Sequence, residues 1–282
     1  MITFPNAKIN IGLQVTERRP DGYHNLDTVF YPIPINDALE VIVAEGADYD
    51  CRLHISGIAI EGDTDNNLVV RAYRLLAADY ALPSVNIYLH KHIPTGAGLG
   101  GGSADASFML RLLNEMFELG VTTEKLEAYA ALLGADCPFF ITGNPVYATG
   151  IGNEFHPIDL DLSGWHIVVV KPDVFVSTKE AYSMVKPEKP AVTLDKKIVR
   201  PITEWKDTIS NDFEKGIFAL HPELASIKAK LYELGATYAA MSGSGSALFG
   251  LFEAPITGVE QHFPGCFCQQ QKLPDSHRGA SK

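Results

Sequence analysis

Residues 94–107, which read Pro-Thr-Gly-Ala-Gly-Leu-Gly-Gly-Gly-Ser-Ala-Asp-Ala-Ser, constrain this chain more than any other stretch. Five of the seven residues from Gly96 to Gly102 are glycine. Ahead of them, Val85, Ile87 and Leu89 alternate with polar neighbours, the pattern of a strand with one buried face. Behind them, Ala104, Phe108, Leu112 and Leu113 recur near helical spacing, with Ser103 or Asp105 expected to cap the helix start. The segment is therefore strand, glycine loop and helix N-terminus. Glycines turn through positive φ and let a ligand approach the backbone, because no Cβ intervenes. The unpaired amides of the first helical turn and a dipole equivalent to about half a positive charge then favour an anion. A di- or triphosphate suits such a loop.

Several phosphate loops fit part of this pattern. The dinucleotide fingerprint G-x-G-x-x-G is present at Gly96, Gly98 and Gly101. It lies far from the start of the chain, however, and no acidic residue ends a second strand about twenty residues on. The Walker A pattern fails because no lysine follows the glycines, and neither H-R-D nor D-F-G occurs. The order and spacing instead resemble the GHMP superfamily of small-metabolite kinases, which includes galactokinase and the homoserine, mevalonate and phosphomevalonate kinases. Its hallmark Pro-x-x-x-Gly-Leu-Gly-Ser-Ser-Ala is carried by Pro94, Gly98, Leu99, Gly100, Ser103 and Ala104, with two extra glycines in the loop. The resemblance implies that Pro94, Gly96, Gly98, Leu99, Gly100, Gly101, Gly102 and Ser103 bind ATP.

Bulk properties exclude other classes. A net charge of −11 argues against a nucleic-acid partner, which calls for a basic face. No apolar run reaches the eighteen or so residues of a membrane span, and residues 1–8 carry no basic-then-apolar leader pattern. Cys51, Cys137, Cys266 and Cys268 follow neither a zinc nor a C-x-x-C spacing, so four free thiols in a cytoplasmic protein are expected. A monomer or weak homodimer acting on a small-molecule substrate fits these properties.

Taken alone, Lys8 reads as a solvated strand end, and Tyr23 and His24, after the Arg19-Pro-Asp-Gly22 turn, as packing residues. Asn66 and Asn67 suit capping of a helix over 68–81. Asp136 sits in a turn between a helix over 123–133, closed by a left-handed Gly134, and Pro138. Ser177 opens a capping-box helix that carries Tyr182.

The resemblance adds roles to these residues. Pro5-Asn-Ala-Lys-Ile-Asn10 and Arg19-Pro-Asp-Gly-Tyr-His-Asn-Leu26 are similar to the opening of a GHMP branch whose substrate is the cytidine diphosphate ester of methylerythritol. That likeness implies that Lys8 and Asn10 line the substrate site and that Tyr23 stacks on the cytosine beside His24. Tyr182 would face Tyr23 across the base, a stack worth about 1–3 kcal/mol by analogy with nucleic-acid binders. Asn67 would lie near the adenine. Gly134-Ala-Asp-Cys-Pro138 matches the family's catalytic turn, so Asp136 would orient or deprotonate the hydroxyl with Lys8 supplying positive charge. Residues 238–252, read as strand, glycine-serine loop and strand, match the motif that folds over the first glycine loop. Mg²⁺ would accompany ATP, with Ser103 as the nearest hydroxyl ligand.

The expected fold is α+β, a two-domain GHMP kinase with the active site in the inter-domain cleft and domains at 1–157 and 158–282. The expected reaction is transfer of the ATP γ-phosphoryl group to the C2 hydroxyl of the methylerythritol moiety. Two alternatives stay open: another GHMP kinase, of homoserine or mevalonate type, and a non-catalytic nucleotide-binding protein. The 21–24 stretch with Tyr182 discriminates the first, and Asp136 with Lys8 the second. An irregular excursion over 187–202, a helix over 221–234 closed by Gly235 and a frayed tail over 269–282 complete the reading.

Overall fold

The structure is a computed structural model, and it describes residues 1–60 and 62–274. In chain order, β1 (Ile2–Thr3), β2 (Asn6–Arg18), β3 (His24–Asn36), β4 (Ala38–Val43) and β5 (Cys51–Gly57) precede α1 (Leu68–Ala77). Strand β6 (Val85–Lys91) leads through the glycine loop into α2 (Gly101–Met116), followed by α3 (Thr123–Leu133), α4 (Phe139–Thr142), β7 (Val146–Thr149), β8 (Glu154–Pro157) and β9 (His166–Lys171). The remainder comprises α5 (Thr178–Met184), α6 (Leu194–Lys197), α7 (Trp205–Thr208), α8 (Phe213–Leu220), α9 (Pro222–Glu233), β10 (Tyr238–Met241), β11 (Leu248–Phe252) and β12 (Phe267–Lys272).

The chain forms two compact units, and neither is continuous in sequence. One comprises residues 1–8, 35–95 and 100–144; the other comprises 9–34, 96–99 and 145 onward. The expected linear division at 157/158 therefore does not follow the backbone. Strand pairing carries 9–34 away from the rest of the N-terminal half, because β3 pairs with β7 over Thr28–Phe30.

In the first unit the sheet order is β1-β4-β6-β5, with β5 parallel to β6 and the other pairs antiparallel. Val85, Ile87, Leu89, Leu39 and Val41 point into a core shared with Val69, Tyr73 and Leu76 of α1 and Met109 and Leu113 of α2. Helix α1 starts where Asn67 accepts a hydrogen bond from the Val69 amide, as its sequence suggests, but it ends at Ala77 rather than 81. In the second unit β2-β3-β7-β8 form one sheet and β10-β11-β9-β12 another. Ile167, Val168, Val169 and Val170 are all buried, since β9 is flanked by β11 and β12 and covered on both faces.

Other local expectations are revised. Gly134 is extended at φ 176° rather than left-handed, whereas Gly235 is left-handed at φ +96°. Residues 194–197 are helical within the stretch expected to be irregular. Gln269 to Lys272 belong to β12, which pairs with β9, and the rest of the expected frayed tail, 275–282, lies outside the described residues. Among the described residues no helix is long and apolar enough to cross a membrane. The cysteines are all unpaired.

Candidate active site

The glycine loop leaves β6 and enters α2 at Gly100, the N-cap residue, whose φ is +72°. A Cβ at Gly100 would lie 2.8 Å from the Phe140 ring and 3.1 Å from Cγ of Lys8, so glycine is required by both conformation and space. Ser103 and Asp105 therefore do not cap the helix. They lie inside it, and the N-cap residue, a glycine, makes no side-chain capping hydrogen bond to the amides of the first turn. Those amides are the ones an anion would meet.

Lys8 is buried on β2, and its Nζ lies 3.3 Å from Oδ2 of Asp136. Asp136 keeps 35% of its side chain exposed. Its turn is held to α2 by the Ser107 hydroxyl, which donates to the carbonyls of Ser103 (2.9 Å) and Cys137 (2.7 Å). Burial pushes the neighbouring Cys137 thiol up to about 11, so it stays protonated. The pair predicted from motif spacing is thus brought together, with a buried cation holding a reachable carboxylate.

A cavity of about 320 Å³ in the same unit is lined by Ile55, Ile60, Asn67, Leu68, Thr95 and Gly102, among others. At its wall Lys91 makes buried ion pairs with Asp37 and with Asp105, the second at 2.6 Å. The Asp37 carboxylate also accepts from the His92 (2.6 Å) and Ile93 (2.8 Å) amides. Sequence reasoning missed this cluster. The signal was present, because Lys91 continues the inward parity of Val85, Ile87 and Leu89.

In the second unit, the Asn10 side chain donates to the Thr28 hydroxyl (2.9 Å), which donates to the Gly12 carbonyl (2.7 Å). The Asn10 amide donates to Ser242 Oγ (3.1 Å), and that hydroxyl donates to the carbonyl of Gly98 (2.8 Å). A Cβ at Gly98, where φ is +77°, would lie 2.0 Å from the Ser242 carbonyl oxygen. The loop over 242–247 is gripped from behind by Asn211, which donates to the Met241 and Gly243 carbonyls at 2.8 Å each. The second glycine-serine loop thus rests on the first, as its motif suggests, while Thr28, Ser242 and Asn211 are additions to the sequence-based list.

The aromatic site differs in detail from expectation. Tyr182 stacks on His24, with centroids 4.8 Å apart and planes at 21°, and meets Phe213 edge-on at 4.9 Å. Tyr23 is 62% exposed. A spacing of 4.8 Å is that of direct ring contact and has no room for a base between His24 and Tyr182. Burial, reinforced by the charge of Arg18, lowers the His24 pKa, so its ring is neutral near pH 7. Ser177 stands at the start of α5 but makes no capping hydrogen bond; Thr178 Oγ1 lies 3.3 Å from Ser244 Oγ instead.

A glycine loop that opens a helix and a buried lysine beside an accessible aspartate are features that a small-molecule kinase calls for. Comparison with known proteins agrees: the GHMP kinases N terminal domain matches residues 67–144 and the GHMP kinases C terminal domain matches 199–261. The 4-diphosphocytidyl-2-C-methyl-D-erythritol kinase of Bacteroides fragilis is 58% identical over 97% of this chain and 100% of that one. That of Bacteroides thetaiotaomicron is 56% identical over the same shares. A solved 4-(cytidine 5'-diphospho)-2C-methyl-D-erythritol kinase superposes with a TM-score of 0.81 at 33% identity, covering 96% of this chain and 99% of that one. A homoserine kinase from Cytophaga hutchinsonii, at 17% identity and a TM-score of 0.65 over 96% of each chain, shares the fold. The chain belongs to the 4-diphosphocytidyl-2-C-methyl-D-erythritol kinase family of the GHMP kinases.

Proposed function

We propose that the protein transfers the γ-phosphoryl group of ATP to the C2 hydroxyl of 4-diphosphocytidyl-2-C-methyl-D-erythritol, a step of non-mevalonate isoprenoid precursor synthesis. The observation that carries the mechanism is the 3.3 Å pair of buried Lys8 with one-third-exposed Asp136. The acceptor oxygen bonds to Pγ as the bond from Pγ to the β–γ bridging oxygen breaks, and ADP leaves. The hydroxyl proton passes to the Asp136 carboxylate and from there to solvent. Lys8, 3.3 Å from Asp136, offsets charge that builds on the transferring group. The amides at the start of α2 hold the phosphates. Asn10 orients the acceptor, while Tyr23, His24 and Tyr182 recognise the cytosine by stacking and edge hydrogen bonds.

The donor set fits Mg²⁺ that arrives with ATP rather than a metal held by the protein alone. Among the described residues no group of three or more His, Cys, Asp or Glu could hold an ion, and Asp105, the nearest acidic residue in sequence, is paired with Lys91. Ser103 would contribute a hydroxyl, the phosphates and water the remaining ligands; the ion would neutralise phosphate charge.

The test is ADP release with Mg²⁺ and ATP, using the cytidine diphosphate ester, homoserine and mevalonate as acceptors. Turnover with the ester alone, lost in Asp136→Asn, is the expected result. Turnover with another alcohol and none with the ester would discard the cytosine reading.

A further inference from the structure

The consecutive residues Ser210 to Glu214 bond in turn to β2 and to the loop that follows β10. Toward β2, the Ser210 carbonyl accepts from the Leu13 amide (3.0 Å) and the Asp212 amide donates to the Leu13 carbonyl (2.8 Å). Asp212 Oδ2 also accepts from the Val15 amide at 2.8 Å. Toward β10 and its loop, Asn211 Nδ2 donates to the Met241 and Gly243 carbonyls at 2.8 Å each, and Glu214 Oε1 accepts from the Met241 amide at 2.8 Å. Neighbouring side chains of one segment thus hold two different elements.

Asn211 is almost fully buried, and its bonding fixes its chemistry. Its Oδ1 accepts from the Phe213 amide at 3.0 Å, which turns the NH₂ group toward the loop and gives each hydrogen a carbonyl. An aspartate of the same shape could still accept from Phe213, but it would set a negative oxygen against two carbonyls. The loop that Asn211 holds meets the first glycine loop closely. Ser242 Oγ donates to the Gly98 carbonyl (2.8 Å), and the Ala247 amide donates to the Ala97 carbonyl (3.1 Å). A Cβ at Gly98 would lie only 2.0 Å from the Ser242 carbonyl oxygen. In packing this close, a shift of 242–243 passes directly to residues 97–98.

We infer that Asn211 is a positioning residue for the nucleotide, acting through the 242–247 loop to hold Ala97 and Gly98 in the shape that receives the phosphates. A binding loop works only as well as the hydrogen bonds behind it hold its geometry. The inference rests on the kinase reading above. The experiment is calorimetric titration of the full chain with ATP and Mg²⁺, without acceptor, on the wild type, Asn211→Asp and Asp212→Ala. Asp212→Ala is the comparison, because it removes a bond from the same segment to Val15 rather than to the loop. Asn211→Asp is expected to bind ATP about tenfold or more weakly than wild type, and Asp212→Ala to stay within about threefold of it. Wild-type affinity in a folded Asn211→Asp would overturn the assignment. So would equal weakening in both variants, which would make the segment a support of the fold and nothing more. If Asn211→Asp does not fold, hydrogen exchange on the wild type decides. ATP should slow exchange of the Asn211 side-chain amide about tenfold, and an unchanged rate would overturn the assignment. ATP binding without turnover of the cytidine ester would remove the kinase reading and leave this one standing. Turnover with equal ATP affinity in Asn211→Asp and wild type would do the reverse.

Discussion

Two lysine–aspartate groups occur in the same unit and behave in opposite ways. Lys8 is buried but its partner Asp136 is one-third exposed at 3.3 Å, on a turn that a substrate can reach. Lys91 is buried with two carboxylates, Asp37 and Asp105, that are themselves nearly inaccessible. The same residue types therefore do different work. An accessible carboxylate can take a proton and hand it to water, whereas two buried carboxylates around one cation tie the end of β6, the 92–93 backbone and the first turns of α2 into one piece. Proton transfer needs access, and positioning needs burial.

The largest expected effects come from breaking each group. Asp136→Asn should lower kcat by about 10²–10⁴-fold in the ADP-release assay, because the acceptor loses its base. Its urea midpoint should fall less than that of Lys91→Met, since Asp136 is one-third exposed and the amide keeps an oxygen facing the buried Lys8. Lys91→Met should do the reverse at the level of folding. It leaves two buried carboxylates without their cation, and urea unfolding should show a loss of about 3–5 kcal/mol. Equal stability losses in the two variants would erase the distinction between the groups.

A third carboxylate sharpens the comparison. Asp27 is buried on β3 and accepts from the Leu194 amide at 3.2 Å, and burial raises its pKa to about 6 from an ordinary 3.8. The folded protein thus binds this proton more tightly than the unfolded chain. The stabilisation is complete below pH 3.8 and is lost as pH rises through about 6. The corresponding cost of ionisation is about 3 kcal/mol at neutral pH, taking about 2.2 pH units at 1.36 kcal/mol each. Asp27→Asn, which keeps an acceptor for Leu194, should melt higher than wild type at pH 7–8 and lose that advantage near pH 4. A constant difference across pH would show that Asp27 is solvated after all.

The smallest effect concerns the contact between the two glycine-containing loops. Ser242→Ala removes the hydrogen bonds to Gly98 and from the buried Asn10 amide. A loss of about 1–2 kcal/mol is expected in urea unfolding, with a higher KM for ATP as the first loop loosens. An unchanged KM would mean that Gly98 is held by its own conformation alone.

Much of this arrangement was legible before any coordinates. Alternation marked β6, spacing marked α1, α2 and α3, and the run from Pro94 to Ala104 marked a phosphate loop. Lys8, Asp136 and the 238–252 loop were found through motif order, because each motif carries a local backbone requirement that survives as glycine, proline or serine at a given position. The cap of α2 was misread: Ser103 and Asp105 are good capping residues in isolation, yet a left-handed Gly100 already ends the loop and places both inside the helix. The His24–Tyr182 stack was also out of reach, since residues 158 apart in the chain meet only through the packing of β3, α5 and α8.

The chain by itself therefore determined its family and singled out the glycine loop and the Lys8–Asp136 pair for which roles are proposed, because those motifs depend on short-range backbone geometry written in consecutive residues. Tertiary structure decided which carboxylates are reachable, which cation serves two of them, and how 9–34 separates from the segments on either side of it. Burial and long-range strand pairing are properties of neighbours in space, and a one-dimensional pattern does not record them.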